Sequence, residues 1–390
     1  MTLRKVAKTF TMWGRNAKIL VATEPFWSIP VSWVFFYRVI FLSESLGLSG
    51  VQIGLLSTVL TFSSIVYPLA GGYLGDRFGR KRILLLFDSV GWLGSMAVWI
   101  VSKNIWFALC AYILEGLASI IVSVWECLLV EDTEPQHRAS IYGYISVATS
   151  LGALSTPVAG YIIGSYGVDP GCRTLFALSF VSMIPLFTVQ YIYLRETETG
   201  HRIMKEKSFA GVKGYLGSIS MIRRNRIIAT LLLTSIIGNS YYSVATYLPL
   251  YLIEKRGLGL KEEIASLVPA ASSMSALIVA SLIVPRLTSR RDYLRALSSG
   301  YCFGCLAILL LAFSPQGNLP LALVSGAILG VYTGTAFSVS RTFLTNEIEA
   351  VDSRARAKIL SITLTLASLL NLPTPTLAGY LFSLNPKLPF

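Results

Sequence analysis

Long apolar runs separated by short charged turns are the feature that most constrains this fold. Residues 53–73 contain no Asp, Glu, Lys or Arg, and residues 83–102 contain only Asp88. Each run is long enough to cross the hydrocarbon core of a bilayer as a helix. The chain of 390 residues has a mean hydropathy of +0.63 and is only 14% charged, which excludes a water-soluble globule of ordinary composition. We therefore predict an all-α polytopic membrane protein.

Eleven segments are apolar enough to be membrane helices. We predict spans at residues 20–44, 50–75, 83–102, 105–129, 138–164, 173–194, 227–253, 263–287, 294–314, 318–342 and 357–382. Part of the first half recurs in the second half at a constant offset, which indicates two parallel repeats. The recurring pairs are Tyr37 with Tyr247, Leu42 with Leu252, Glu44 with Glu254, and Gly47 with Gly257.

Charge and apolarity divide the chain into four parts. We predict a basic cytoplasmic segment at residues 1–19 and an N-terminal bundle of spans one to six at residues 20–194. A cytoplasmic linker at residues 195–226 then leads to a C-terminal bundle of spans seven to eleven at residues 227–390. Most of the 33 Lys and Arg residues lie in segments on the side of the amino terminus. The positive-inside rule therefore places the amino terminus in the cytoplasm of a protein integral to the cell membrane. Basic residues confined to one membrane face favour lipid, not nucleic acid, as their partner.

The turn between the second and third predicted spans carries a specific pattern of glycines and charges. It resembles the motif at this place in the major facilitator superfamily, with matches at Gly72, Leu74, Asp76, Arg77, Gly79, Arg80 and Lys81. The resemblance implies the major facilitator fold, with two six-helix-type bundles in a pseudo-twofold arrangement that open alternately to the two sides of the membrane. It also implies twelve helices, one more than we predict. We expect either a truncated chain or a partner that covers the gap left by the twelfth helix.

The same resemblance implies that the turn is a gate. The gating residues are Gly72, Asp76, Arg77, Gly79, Arg80 and Lys81. Asp76 is expected to meet the amino-terminal end of span eleven in one transport state, because a carboxylate is favourable at that end of a helix. The acidic residues Glu131, Asp132 and Glu134 provide candidate counter-charges for the arginines. Gly71 and Gly75 form a small-residue face for close helix packing.

Charged side chains inside a span are costly and therefore suggest function. Glu115 lies within span four, in a sequence that resembles the family's fourth-helix motif except that Tyr112 stands where an arginine is expected. Glu115 either takes up and releases a proton or forms a structural pair with Arg38, the cation within span one. Arg38 could instead hold an anionic group of the substrate. Asp88 and Glu126 are more readily interpreted as parts of the gate.

Two further spans carry candidate residues. In span five, Gly143, Gly152, Pro157 and Gly160 partly match the family's antiporter motif, which leaves an exporter and a generic flexible helix as alternatives. In span seven, Asn239, Tyr241 and Tyr242 either line a central cavity or hydrogen-bond between helices.

These features predict a transporter and not an enzyme. His137 and His201 lie in predicted loops, and five cysteines are scattered, so no metal site, catalytic constellation or cofactor is expected. We expect drug/proton antiporter-like activity: proton-coupled export of a small organic or amphiphilic compound by alternating access. The alternatives are uptake of a small anionic solute and a transport-inactive membrane receptor or assembly partner.

Overall fold

A computed structural model describes residues 12–206, 226–287, 289–352 and 365–390, and within these ranges the regular structure is entirely helical. The first half contains α1 (Arg15–Ile40), α2 (Gly50–Phe78), α3 (Arg80–Val101), α4 (Ile105–Leu117), α5 (Val122–Val130), α6 (Pro135–Leu154), α7 (Thr156–Tyr166), α8 (Val168–Tyr193) and α9 (Glu198–Glu206). The second half contains α10 (Arg226–Ala245), α11 (Leu248–Ile253), α12 (Glu262–Ala265), α13 (Leu267–Leu282), α14 (Arg290–Ala312), α15 (Leu319–Asp352) and α16 (Thr374–Leu384). The predicted all-α class is confirmed.

Seven helices in the described ranges are long and apolar enough to cross a membrane, or eight if the bent α4–α5 pair is one span. Helices also lie in the other three predicted spans: α10 and α11 in 227–253, the 34-residue α15 in 318–342, and α16 in the described part of 357–382. Span seven, for example, is divided into α10 and α11, and Pro249 lies in the first turn of α11. The predicted start of span eleven lies outside the described residues.

The sixth predicted span begins earlier than the sequence suggests. We expected residues 169–171, Asp-Pro-Gly, to form a loop before a helix starting at residue 173, but α8 begins at Val168. Pro170 is tolerated because the first turn of a helix needs no backbone N–H donor. Gly167, with φ of +81°, separates α7 from α8, and Asp169 places a carboxylate in the first turn of α8, where it is favourable.

The predicted linker 195–226 contains a helix of its own. The hydroxyl of Thr197 accepts a hydrogen bond from the backbone N–H of Gly200 at 3.0 Å, which caps the start of α9. Arg226, at the other end of the predicted linker, already belongs to α10. The predicted linker thus contains α9 and ends at the first residue of α10, and its role as a link between two bundles stays a prediction.

The chain forms two compact units. The first comprises residues 1–47, 59–155 and 162–209, and the second comprises residues 48–58, 156–161 and 210–390. In the first unit α1 packs against α6 and α8, while α3 packs against α4 and α8. In the second unit α15 packs against α13 and α14, and α10 also contacts α15. Residues 48–58, at the start of α2, and 156–161, at the start of α7, are thus grouped in the second unit.

Small residues permit close helix contacts in the first unit. A Cβ atom added to Gly71 would overlap the carbonyl oxygen of Ile120, and one added to Gly75 would lie 2.8 Å from the Val124 side chain. The two glycines therefore form the contact face predicted from their spacing.

Candidate functional site

A buried ion pair joins α1 to α4. Arg38 is 9% exposed and Glu115 is 5% exposed. The Arg38 Nη1 atom donates a hydrogen bond to Glu115 Oε2 at 2.5 Å. The structure thus brings together the two candidates that the sequence suggested as partners, while their roles in transport stay predictions.

Three aromatic rings surround the guanidinium of Arg38. Its central carbon lies 4.7 Å from the ring centre of Tyr112, 5.2 Å from that of Phe35 and 5.9 Å from that of Trp99. Ring faces attract cations, so these contacts offset part of the cost of burying Arg38. Tyr112 stands where the sequence motif expects an arginine, and the cation on its ring comes from α1. A positive charge is therefore present next to position 112, but it belongs to Arg38 on α1 and not to a residue of α4.

Trp99 adds a hydrogen-bond donor to this site. The residue is fully buried, and within the described part of the chain its Nε1 atom has no hydrogen-bond partner. An unsatisfied buried N–H group carries a desolvation cost of about 1–3 kcal/mol. The ion pair thus lies next to a buried donor that is unused among the described residues.

Two acidic residues, Glu24 and Asp88, lie close together between α1 and α3. Asp88 is hydrogen-bonded by the side chain of Trp92 and is close enough to Glu24 for their charges to interact. Trp27, on the same helix as Glu24, packs edge-to-face on Trp92 with ring centres 5.2 Å apart. The sequence analysis overlooked Glu24. Its position inside predicted span 20–44 was the signal that could have found it.

The glycine-containing turn between α2 and α3 is held by acidic residues. Gly79 has φ of +94°, a conformation that other residues adopt only with strain. Arg80 is buried and pairs with Glu131, one of the predicted counter-charges, and its Nη2 atom lies 4.0 Å from Asp76 Oδ1. The backbone N–H of Lys81 donates to Glu196 Oε2 at 2.9 Å.

The other gating residues have fewer contacts. Arg77 donates to the hydroxyl of Tyr73 at 2.6 Å, and Gly72 lies within α2. The predicted partner of Asp76, the start of span eleven, falls outside the described residues. The gate role of the turn therefore stays a prediction.

Burial and acidic neighbours raise the pKa of Asp132, which lies between α5 and α6. The main cause is burial, followed by the charges of Glu131, Glu198 and Glu196. A raised folded pKa means that this group favours the folded state below its unfolded pKa of about 3.9, and the benefit is lost as pH rises through the folded value.

We therefore expect Asp132→Asn to raise the unfolding temperature slightly at neutral pH, because it removes the charge and keeps an acceptor for Asn16 Nδ2, now 3.1 Å from Asp132 Oδ2. The gain should vanish near pH 4, close to the unfolded pKa. Paired thermal scans at the two pH values measure this difference. An equal gain at both would exclude the electrostatic cause.

Predicted span five is broken where its glycines and proline suggested flexibility. Helix α6 ends at Leu154 and α7 begins at Thr156, with Pro157 in its first turn. Gly152 abuts α1, because an added Cβ atom would overlap the carbonyl oxygen of Ser28. Gly143, by contrast, has no atom within 4 Å of such a Cβ, and Gly160 is buried.

In the second unit, α10 carries the span-seven candidates. Tyr241 and Tyr242 belong to a cluster of tyrosine rings, whereas the side chain of Asn239 lies outside the described set. The neighbouring Ser240 hydroxyl contacts the side-chain oxygen of Asn371. No group of three or more potential metal ligands occurs among the described residues.

Residues 28–375 match the Major Facilitator Superfamily. The chain belongs to this family. It is 26% identical over 351 residues to multidrug resistance protein 2 of Bacillus subtilis (strain 168), covering 88% of this chain and 83% of that protein. It is 24% identical over 310 residues to the cis,cis-muconate transport protein of Acinetobacter baylyi, covering 76% and 71%.

A solved structure supports the major facilitator fold. The nucleoside transporter NupG superposes with a TM-score of 0.71 at 12% identity, covering 95% of this chain and 91% of that chain. As a major facilitator protein with several membrane-length apolar helices, the chain is an integral membrane transporter of a small molecule. The two-bundle fold predicted from the motif turn and the internal repeat is confirmed.

Proposed function

We propose that this protein is a proton-coupled secondary transporter that exports small, partly apolar organic compounds across the cell membrane, with its amino terminus in the cytoplasm. The buried Arg38–Glu115 pair is the observation that carries the proposal. A pair of opposite charges is the least costly way to keep either ion at this depth. Protonation of Glu115 would remove one charge and release Arg38.

Protonation of Glu115 would therefore control whether the ion pair with Arg38 is formed. In the paired state Glu115 is ionised, and a compound that binds best to this state competes with the proton. In the protonated state the pair is broken, and binding of that compound is weaker. Competition of this kind couples inward proton flow to outward substrate movement, because each state carries one ligand and not the other.

Two further observations support export. A relative of similar length is named a multidrug resistance protein. The close contact of Gly152 with α1 and the break before α7 match what the antiporter-like pattern in span five predicts. The paired Arg80 and Glu131 at the motif turn provide a gate that could separate the two transport states.

Uptake of a small anionic solute is a second candidate, favoured by the donors around Glu115. Trp99 has an unused indole N–H, and Arg38 keeps a small exposed fraction. An anion that displaced Glu115 from Arg38 would leave a carboxylate that takes up a proton, so anion and proton would travel together. The relative named as a cis,cis-muconate transport protein agrees with this chemistry.

Ethidium accumulation in inverted membrane vesicles tests the proposal. We expect vesicles with wild-type protein to accumulate the dye when their interior is acidified, and nigericin, which collapses the pH gradient, to abolish accumulation. Glu115→Gln should reduce the rate at least about 100-fold, since glutamine keeps a hydrogen bond to Arg38 but carries no exchangeable proton. Lys103→Gln, in the turn between α3 and α4, is the matched control and should leave the rate unchanged.

Dye accumulation independent of the pH gradient would contradict proton coupling. Gradient-dependent transport that survives Glu115→Gln would remove Glu115 from the mechanism. If wild-type protein accumulates no dye, the anion-uptake candidate or a transport-inactive receptor would be favoured. Uptake of radiolabelled muconate by right-side-out vesicles distinguishes these two, because only the anion transporter should take it up.

A further inference from the structure

Four tyrosines from three helices form a cluster within the second unit. Tyr241 and Tyr242 come from α10, Tyr301 from α14 and Tyr332 from α15. The Tyr332 ring centre lies 5.2 Å from that of Tyr241, nearly perpendicular, and 5.5 Å from that of Tyr301. Tyr241 and Tyr242 are 6.1 Å apart. We call these four residues the tyrosine cluster.

The ring of Tyr332 is fixed from behind by α14. A Cβ atom added to Gly304 would lie 2.9 Å from this ring, so only glycine lets the two helices approach so closely. Ala307 and Leu329 pack around the ring as well. The ring therefore has a defined position, and a ligand would meet a preformed surface.

The hydroxyl groups distinguish the cluster from ordinary aromatic packing. Tyr301 donates to the backbone carbonyl of Thr234 at 3.1 Å, which is a structural bond between α14 and α10. Tyr332 is only 6% exposed as a residue, but its hydroxyl oxygen is not fully buried and has no hydrogen-bond partner among the described residues. The same holds for the hydroxyl of Tyr241. Each of these two hydroxyls can therefore exchange a hydrogen bond with a ligand.

The cluster is also accessible and uncharged. Tyr242 is 47% exposed and forms its open side. Its packed neighbours are apolar, among them Leu248 and Ile308. Among the described residues these neighbours provide no charge to pair with an ion, whereas a neutral aromatic ring can pack against the edges and faces of the tyrosine rings.

We infer that the tyrosine cluster binds a planar, neutral aromatic compound that carries a hydrogen-bonding substituent. The ring of the ligand packs against Tyr241, Tyr242 and Tyr332, and its polar group bonds to the free hydroxyl of Tyr332. The inference rests on the proposed transport of small organic compounds and names the kind of compound that the second unit selects. Tyr301 is a positioning residue, since its own hydroxyl is occupied.

Three related compounds separate the contributions of ring and hydroxyl. Binding is measured in lipid nanodiscs that contain the full chain, and 2-naphthol should bind. Naphthalene lacks its polar group, and decahydro-2-naphthol lacks its aromatic ring, so each tests one contribution. We expect Tyr332→Phe to weaken 2-naphthol binding about 3- to 10-fold, the loss of one hydrogen bond. It should leave naphthalene binding unchanged, which also shows that the variant is folded.

Tyr293→Phe is the matched control. Tyr293 lies on α14 outside the cluster, stacked on Phe343 with ring centres 5.6 Å apart, and its substitution should change no affinity. Equal 2-naphthol affinity of wild type and Tyr332→Phe would overturn the inference, as would tighter binding of decahydro-2-naphthol than of 2-naphthol or no binding by wild type. None of these results bears on proton coupling through Glu115, which the vesicle assay tests separately.

Discussion

Replacing Arg38 by methionine is expected to lower the free energy of unfolding by about 3–5 kcal/mol, since it leaves Glu115 buried without a counter-charge. Methionine keeps much of the side-chain volume, so the effect reports charge more than packing. Thermal unfolding of wild type and Arg38→Met in detergent measures this loss.

The double variant Arg38→Met with Glu115→Leu is the control for this prediction. It removes both charges and should recover most of the lost stability, because a buried ion pair contributes little net stability over apolar residues of similar size. A double variant as unstable as Arg38→Met alone would show that the aromatic packing of Arg38 on Tyr112, and not its charge, holds α1 to α4.

Replacing Gly152 by alanine is expected to destabilise the first unit by about 1–3 kcal/mol, the usual cost of overpacking. The new methyl group would overlap the backbone carbonyl of Ser28, and backbone cannot move aside as a flexible side chain does. Helices α1 and α6 would have to separate along their whole contact, including the bond from Trp33 Nε1 to Ser155 Oγ at 2.8 Å.

Gly143→Ala, in the same helix, should have the opposite effect. No atom lies within 4 Å of the added Cβ, and alanine is the better helix former by about 0.8–1.0 kcal/mol. Unfolding temperatures of the two variants, measured side by side, test both expectations. A neutral Gly152→Ala would mean that α6 is not packed against α1 as described, and destabilisation by both variants would point to a general intolerance of alanine in this helix.

The helices themselves follow from the sequence with little ambiguity. A bilayer requires long apolar segments whose backbone groups are hydrogen-bonded internally. Runs such as 53–73 and 83–102 are therefore predicted to be membrane-spanning helices. Their ends are harder to predict. Pro170 and Gly171 are typical of loops in water, but at the first turn of α8 neither disrupts the helix.

The Arg38–Glu115 contact was predictable because few charges occur within the spans, which leaves each charge few possible partners. The partnership of Glu24 with Asp88 follows the same logic and was missed only because Glu24 was not counted as a charge inside a span.

Two of the four residues of the tyrosine cluster could be predicted from the sequence. Tyr241 and Tyr242 stand out as polar residues in an apolar helix, but nothing in the sequence brings Tyr301 and Tyr332 to them. Membrane helices are uniformly apolar on their outer faces, so periodicity does not reveal which helices are neighbours. The contact of Arg80 with Glu131 was easier to expect, because both belong to short turns next to the same membrane face.

The proton change on substrate binding tests the central claim most directly. Ethidium is added to purified protein in weakly buffered detergent solution over a range of pH values, and the released protons are counted. The account predicts proton release by wild-type protein and none by Glu115→Gln, because Glu115 must give up its proton to restore the pair with Arg38. Equal release by the two proteins, or no release by wild type across this range, would contradict it.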